Sequence, residues 1–340
     1  MIVDRYYYHQ LNNDDKYLYK IMYKGVMDHE DIIPLPIKGV FPQESFARLF
    51  DAITLDNPLI YFLNQTLCKL GKDENNNYAI LPQYYFTPDQ VKKYSKKIQE
   101  TVNNLAYQLK LNEGSDFEKE LKIHDWICKN VIYDTEGMQE GNIKANIASH
   151  NILGVFAYRK AQCEGIAKAV KVLLNAVDVR CIVVNGDAVV NGVSEKHSWN
   201  IVNLDGTPYQ LDVTWDVGLH KPDGDRIRYD YFNVTDDMIK KNHRQELNDM
   251  PTCALKELNY FVRNGTSFRN KSQVIKYIKN GLNKNMNNFY FRYDGKAKVS
   301  SIFAEIIELI KQHLIDNDQY DKQIKRSLND EIGTCWIGIF

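Results

Sequence analysis

Three residues in the middle of the chain have the types and spacing for thiol chemistry. Cys163 opens the stretch CEGIAKAVKVLLNAV, in which Ile166, Val170, Leu173, Leu174 and Val177 share one helical face. The sulfur is therefore expected at the first turn of an amphipathic helix, with the burying face further along. A cysteine is a useful nucleophile only as a thiolate, and a helix N-terminus and a nearby imidazolium both stabilise that charge. The imidazole must exchange a proton with the sulfur, and a third group must orient the ring. His197 and Asp212 are the candidates. Residues 197–203 and 209–215 both read as strands, and Asp205-Gly206 between them is a strong hairpin signal. With that dipeptide as a two-residue loop, His197 faces Thr214 and Asp212 is its diagonal neighbour. Both side chains then point to one face, shared with Trp199 and Ile201. A slip of one residue would separate them. Val202, Tyr209, Leu211, Val213 and Trp215 make the other, core-facing side.

The elements that must hold these residues are legible as caps and stripes. Thr87-Pro88-Asp89-Gln90 is a capping box with proline at the first helical position, followed by an apolar stripe of Val91, Tyr94, Ile98, Val102, Leu105 and Leu109. Ser115-Asp116-Phe117-Glu118 is a second box, whose helix carries Leu121, His124, Ile127 and Val131. Tyr133-Asp134 and a polar loop to about Ser149 follow, then the Cys163 helix and a strand over residues 181–185. Upstream, a helix is expected from near Leu11, a second over residues 43–52, a turn at Asn57-Pro58 and a strand over residues 78–86. Downstream, the expected order is strand 260–263, helix 272–282, strand 288–293, helix 299–314 and strand 334–340.

The segments AQCEGIAKAVKVLLNAVDVRCIVVNGDA and KHSWNIVNLDGTPYQLDVTWD resemble the transglutaminase-like core domain of microbial proteins. The matching features are Cys-x-Gly-x-Ala at 163–167, His-x-Trp-Asn at 197–200 and Leu-Asp-x-Thr-Trp-Asp at 211–216. KIHDWICKNVIYD at 122–134 is similar to the helix and Tyr-Asp that precede such cores. The resemblance covers about residues 115–216. It implies a papain-like α+β fold, with a nucleophile helix packed on an antiparallel sheet. It also implies acyl transfer through a thioester, to an amine or to water, by a Cys163–His197–Asp212 triad. Gln162 and Cys163 match the start of the animal transglutaminase motif, but Glu164 stands where those enzymes have tryptophan. Calcium activation and protein cross-linking are not carried over.

The chain is thus expected to have an N-terminal mostly helical region (residues 1–86), a transglutaminase-like catalytic domain (87–250) and a small C-terminal α/β domain (251–340). Gln162, Trp199 and His150 are candidates for substrate binding, and the backbone N–H of Cys163 for an oxyanion donor. No cofactor and no metal are expected, because no cysteine or histidine pair has zinc-ligand spacing. Lys221-Pro222-Asp223-Gly224-Asp225 lacks the distal glutamate of a calcium loop and reads as a turn. A net charge of −1 removes nucleic acid as the default partner. The start of the chain has no apolar leader, and no run is long enough to span a membrane. A cytoplasmic enzyme acting on a peptide or protein amide is expected, with six free cysteines and no preferred oligomeric state. The rival expectation is a non-catalytic module of the same fold that binds a protein partner.

Overall fold

Polar side chains set the helix starts. Thr87 and Ser115 each accept the backbone N–H three residues on, and Gln90 and Glu118 return the bond to the cap backbone, so both predicted capping boxes are formed. The computed structural model describes residues 4–37, 39–72, 75–136, 147–190, 192–218, 226–247 and 249–340. The turn expected at residues 221–225 and part of the loop leading to Ser149 lie outside the described residues.

The N-terminal region contains α1 (Tyr6–Gln10), α2 (Asn13–Met27) and α3 (Gln43–Asp56). Helix α3 runs past the expected end at residue 52 because Ile53 and Leu55 continue its buried face. At its last residue the buried Asp56 carboxylate accepts the backbone N–H groups of Tyr7 and Tyr8 at 3.2 and 2.8 Å, which ties α1 to α3. A small antiparallel sheet joins β1 (Ile33–Pro34), β2 (Lys69–Lys72) and β3 (Tyr78–Leu81) in the order β1-β3-β2. The strand expected over 78–86 stops at Leu81 because Pro82 has no N–H for the ladder.

The middle region begins with α4 (Pro88–Gln108) and α5 (Asp116–Asn130). Short parallel strands β4 (Ile132–Tyr133) and β5 (Lys160–Ala161) lead into α6 (Cys163–Ala176). Helix α6 lies across β6 (Arg180–Val190) and β7 (Val193–Leu204), in a four-stranded antiparallel sheet completed by β8 (Thr207–Leu211) and β9 (His243–Gln245). The order is β8-β7-β6-β9. The predicted two-residue loop is present, with Leu204 opposite Thr207 and Asn200 opposite Leu211. The strand expected over 209–215 ends at Leu211, however, because Asp212 leaves the ladder to cap α7 (Val213–Val217).

Beyond the short α8 (Asp236–Ile239), residues 260–263 form a helical turn, α9 (Tyr260–Arg263), instead of the expected strand. The Asn259 side chain accepts the N–H of Phe261 and so favours the helical start. Then follow β10 (Ser267–Phe268), α10 (Lys271–Leu282), β11 (Asn288–Tyr293), α11 (Ser300–Asp316), β12 (Ile324–Asn329) and β13 (Thr334–Ile339). Their sheet has the order β10-β11-β13-β12.

One hydrophobic core runs from Tyr7 to Cys253 and joins the first two regions. The C-terminal region has its own core, built on Phe289, Phe291, Ile306, Ile310 and Ile337. A third, smaller cluster packs Ile332 from the turn between β12 and β13 against Tyr231, Val234, Met238 and Ile239, with Trp215 at its edge. Among the described residues, no helix is long and apolar enough to cross a membrane.

Candidate active site

Cys163 is the first residue of α6, with Gln162 at the N-cap in an extended conformation. The Cys-x-Gly-x-Ala pattern has a steric cause at this point. A Cβ on Gly165 would stand 2.4 Å from the carbonyl oxygen of Ser149 and 2.9 Å from that of Asn151. Only glycine lets the first turn of α6 press so closely on the loop before it. Cys163 is part-exposed and not in a disulfide. Burial pushes the thiols of the other five cysteines above their ordinary range, which disfavours their thiolates.

His197 comes from β7 and Asp212 from the end of β8. Nε2 of His197 donates to Oδ2 of Asp212 at 2.8 Å, with both side chains buried. That bond occupies Nε2 and leaves Nδ1 as the ring nitrogen that would serve the Cys163 sulfur, which lies near enough to add to the rise in the ring's pKa. Burial pulls the His197 imidazole down, but the Asp212 carboxylate and then Cys163 outweigh it and hold its pKa up at about 10. Burial alone would raise the Asp212 carboxyl group; the imidazoles of His197 and His243 overcome it and keep the group well below the usual carboxylate range. The two oxygens of Asp212 are divided. Oδ1 accepts the N–H of Trp215 at 3.1 Å as the cap of α7, and Oδ2 faces the imidazoles.

The second imidazole on Oδ2, at 3.0 Å, is Nε2 of His243. Sequence reasoning missed it, since nothing in residues 236–247 has strand periodicity. Gly186 is the one signal that could have pointed there. A Cβ at Gly186 would stand 2.2 Å from the Arg244 carbonyl oxygen and 2.8 Å from the Trp199 ring, so β9 reaches β6 only over a glycine. The ligand atoms of His197, Asp212 and His243 lie within 4.8 Å of one another, the one such grouping among the described residues. Every one of those atoms is already hydrogen-bonded within the set, so it is complete as a proton network and we assign no metal to it.

The candidate substrate-binding residues fall in different places. Trp199 is buried behind His197, its ring stacked on the imidazole at 6.1 Å and its Nε1 donating to Gln210 at 2.7 Å. It forms the back wall of the triad and not the face of a cleft. Gln162 is also buried and donates its amide to the Asp134 carbonyl oxygen at 3.2 Å, which fixes the approach to α6. His150 does line a cavity of about 500 Å³, with Glu164 and Lys168 from α6 and Asn57, Tyr61, Asn64 and Tyr85 among the residues from the N-terminal region. Nδ1 of His150 is 3.6 Å from Glu164, which is also paired with Lys168 at 2.7 Å. Burial would raise the Glu164 carboxyl group, but Lys168 and His150 hold its pKa down at about 2. Tyr133 stands near enough to Cys163 that the sulfur adds to the effect of burial in raising its phenol pKa.

A second set with the same residue types lies deeper. Nε2 of His124 is 3.0 Å from Asp216 and 3.7 Å from the Cys128 sulfur, and its Nδ1 is 3.2 Å from Asp125. Carboxylates on both ring nitrogens call for two N–H donors, so this imidazole is charged. Its pKa is raised well above the ordinary value, against the pull of burial. His124 and Cys128 are closed off from solvent, and the set locks α5 onto α7.

Parts of the chain are similar to known proteins. Residues 103–212 match the family model described as the transglutaminase-like superfamily. Over 126 residues the chain is 29% identical to the kyphoscoliosis peptidase of Mus musculus and 26% identical to that of Homo sapiens. Each match covers 35% of this chain and 18% of the relative, so the chain spans less than a fifth of these proteins. A crystal structure of a TGase aligns with 56% of this chain and 52% of its own, at 16% identity and a TM-score of 0.31.

Proposed function

We propose, from the match of residues 103–212 to the transglutaminase-like superfamily, that the chain is a cysteine-dependent acyl-transfer enzyme acting on a peptide or protein amide. The observation that carries this reading is the 2.8 Å bond from His197 to a buried carboxylate, beside the one part-exposed thiol at a helix start. In the proposed reaction the Cys163 sulfur attacks the amide carbonyl carbon, and His197 has taken the thiol proton through Nδ1. As the C–N bond breaks, His197 returns that proton to the leaving amine, and a thioester remains on Cys163. Water or a second amine then attacks the thioester and frees the sulfur. Asp212 holds the Nε2–H tautomer and balances the imidazolium charge. The N–H groups of the first turn of α6 point toward the developing oxyanion.

The test is alkylation. At about pH 6 iodoacetamide should modify Cys163 roughly tenfold or more faster than any other cysteine, and His197→Ala should abolish the difference. Peptide mapping by mass spectrometry reads both. Equal labelling of Cys163 and Cys68 at that pH, unchanged by His197→Ala, would sink the catalytic reading and leave a protein-binding module of the same fold.

A further inference from the structure

His243 is placed as part of the candidate triad's support by a continuous chain of side chains. Its Nε2 meets Asp212 Oδ2 at 3.0 Å, the same oxygen that His197 uses. Its Nδ1 is 2.7 Å from Oδ1 of Asn242. The amide nitrogen of Asn242 donates to the hydroxyl of Tyr231 at 2.7 Å and to Oε2 of Glu331 at 2.6 Å. Glu331 belongs to the turn between β12 and β13, in the C-terminal region. A carboxylate can only accept, so Glu331 fixes which end of the Asn242 amide faces it and turns the carbonyl oxygen toward His243. His243 is buried, and its ring lies 4.5 Å from Trp215 and 5.2 Å from Trp199, so it has no room to rotate away. The titratable groups facing it are Asp212, His197 at 5.3 Å between ring centroids, and Tyr231 at 5.5 Å, whose hydroxyl is held by Asn242.

We propose that His243 is a positioning residue that shares the Asp212 carboxylate with His197, and that Glu331 of the C-terminal region holds it to that task through Asn242. This rests on the acyl-transfer reading of Cys163, His197 and Asp212. Acceptors on both ring nitrogens call for two N–H donors, so while both bonds stand His243 is itself an imidazolium, against the downward pull of burial on its pKa, and two donors divide the charge of one oxygen. Without His243 the oxygen serves His197 alone, its imidazolium becomes harder to deprotonate, and the thiolate–imidazolium pair persists to higher pH. His243 therefore tempers the pair and keeps His197 able to give its proton back, as an acid catalyst near neutral pH must.

The experiment follows the rate of iodoacetamide alkylation of Cys163 against pH in the full-length chain. His243→Leu removes the donor and should move the upper step of the profile, where the imidazolium loses its proton, to higher pH by about one unit. His243→Gln, whose amide nitrogen returns the donor without the charge, should undo part of that shift. Glu331→Ala frees Asn242 to rotate and should give a smaller shift in the same direction, whereas Glu331→Gln keeps an acceptor and should give none. Glu331 is exposed on a turn, so its variants fold if His243→Leu does not. The imidazole N–H resonance of His197 should move downfield in His243→Leu, as its bond to Asp212 strengthens. A uniform loss of rate with an unmoved upper step, or an upper step moved to lower pH, would overturn the proposal and leave His243 a packing residue. If wild-type Cys163 labels no faster than the buried cysteines, the acyl-transfer reading itself has failed.

Discussion

Asp212 and Asp216, one helical turn apart, each receive a buried histidine, yet only one set opens to solvent. Residue types alone did not separate them. Cys163 stands out in the sequence because it starts a helix, whereas Cys128 falls near the end of one. Glu120 is another buried acid whose role was illegible, since it falls on the same helix as His124 with no unusual spacing. Its Oε2 accepts from Asn233 at 2.7 Å, but its Oε1 and the Asn233 Oδ1 have no partner. Burial raises its pKa to about 8. A carboxyl group raised on folding binds a proton in the folded state and destabilises the fold as pH climbs from the unfolded value, about 4.3, toward 8. Glu120→Gln supplies a permanent donor and no charge. It should stabilise the chain by about 2 kcal/mol at pH 8 and by little at pH 4, as read by urea unfolding at the two pH values.

At the scale of elements, the hairpin geometry was the most legible part. Asp205-Gly206 set the register of β7 and β8 from Leu204–Thr207 to Asn200–Leu211, but Asp212 stands one residue past that ladder and reaches His197 as the cap of α7, so the expected pairing of His197 with Thr214 does not form. The end of β8 was not legible, because a strand pattern cannot reveal that an aspartate will cap a helix whose residues are equally apolar. Strand β9 was missed for a related reason. It is three residues long, and its place is fixed by an absence, the missing side chain at Gly186. Gly186→Ala should push β9 off β6, lower stability by about 1–3 kcal/mol and shift the upper step of Cys163 labelling as His243→Leu does. Urea titration and the alkylation profile measure the two effects separately.

For the molecule as a whole, composition and capping signals located most helices, but not how the regions depend on one another. Tyr7 donates to the Val183 carbonyl oxygen at 2.6 Å, inside the sheet of the middle region, and the first two regions share one core. The C-terminal region has a core of its own but lends Ile332 and Glu331 to the surroundings of Trp215 and His243. Such long-range packing leaves no periodic trace in a sequence. A chain ending at residue 264 should therefore keep its α6–β6–β7 core while the segment from 229 to 245 loosens. Limited proteolysis should cut that segment in the shortened chain and spare it in the full one; equal protection would show that the C-terminal region contributes nothing there.

The division of labour inside Asp212 bears on how such a protein would drift. One oxygen starts a helix and the other serves two imidazoles, so selection for folding alone would keep an aspartate or asparagine at this position after catalysis had lapsed. Gly165 and Trp199 are held in the same way, by close approach and burial. The Cys163 side chain caps nothing, and Gln162 is the N-cap before it. In descendants of this chain, residue 163 is thus where a lost activity would first be written, while most of the surrounding motif survived as architecture.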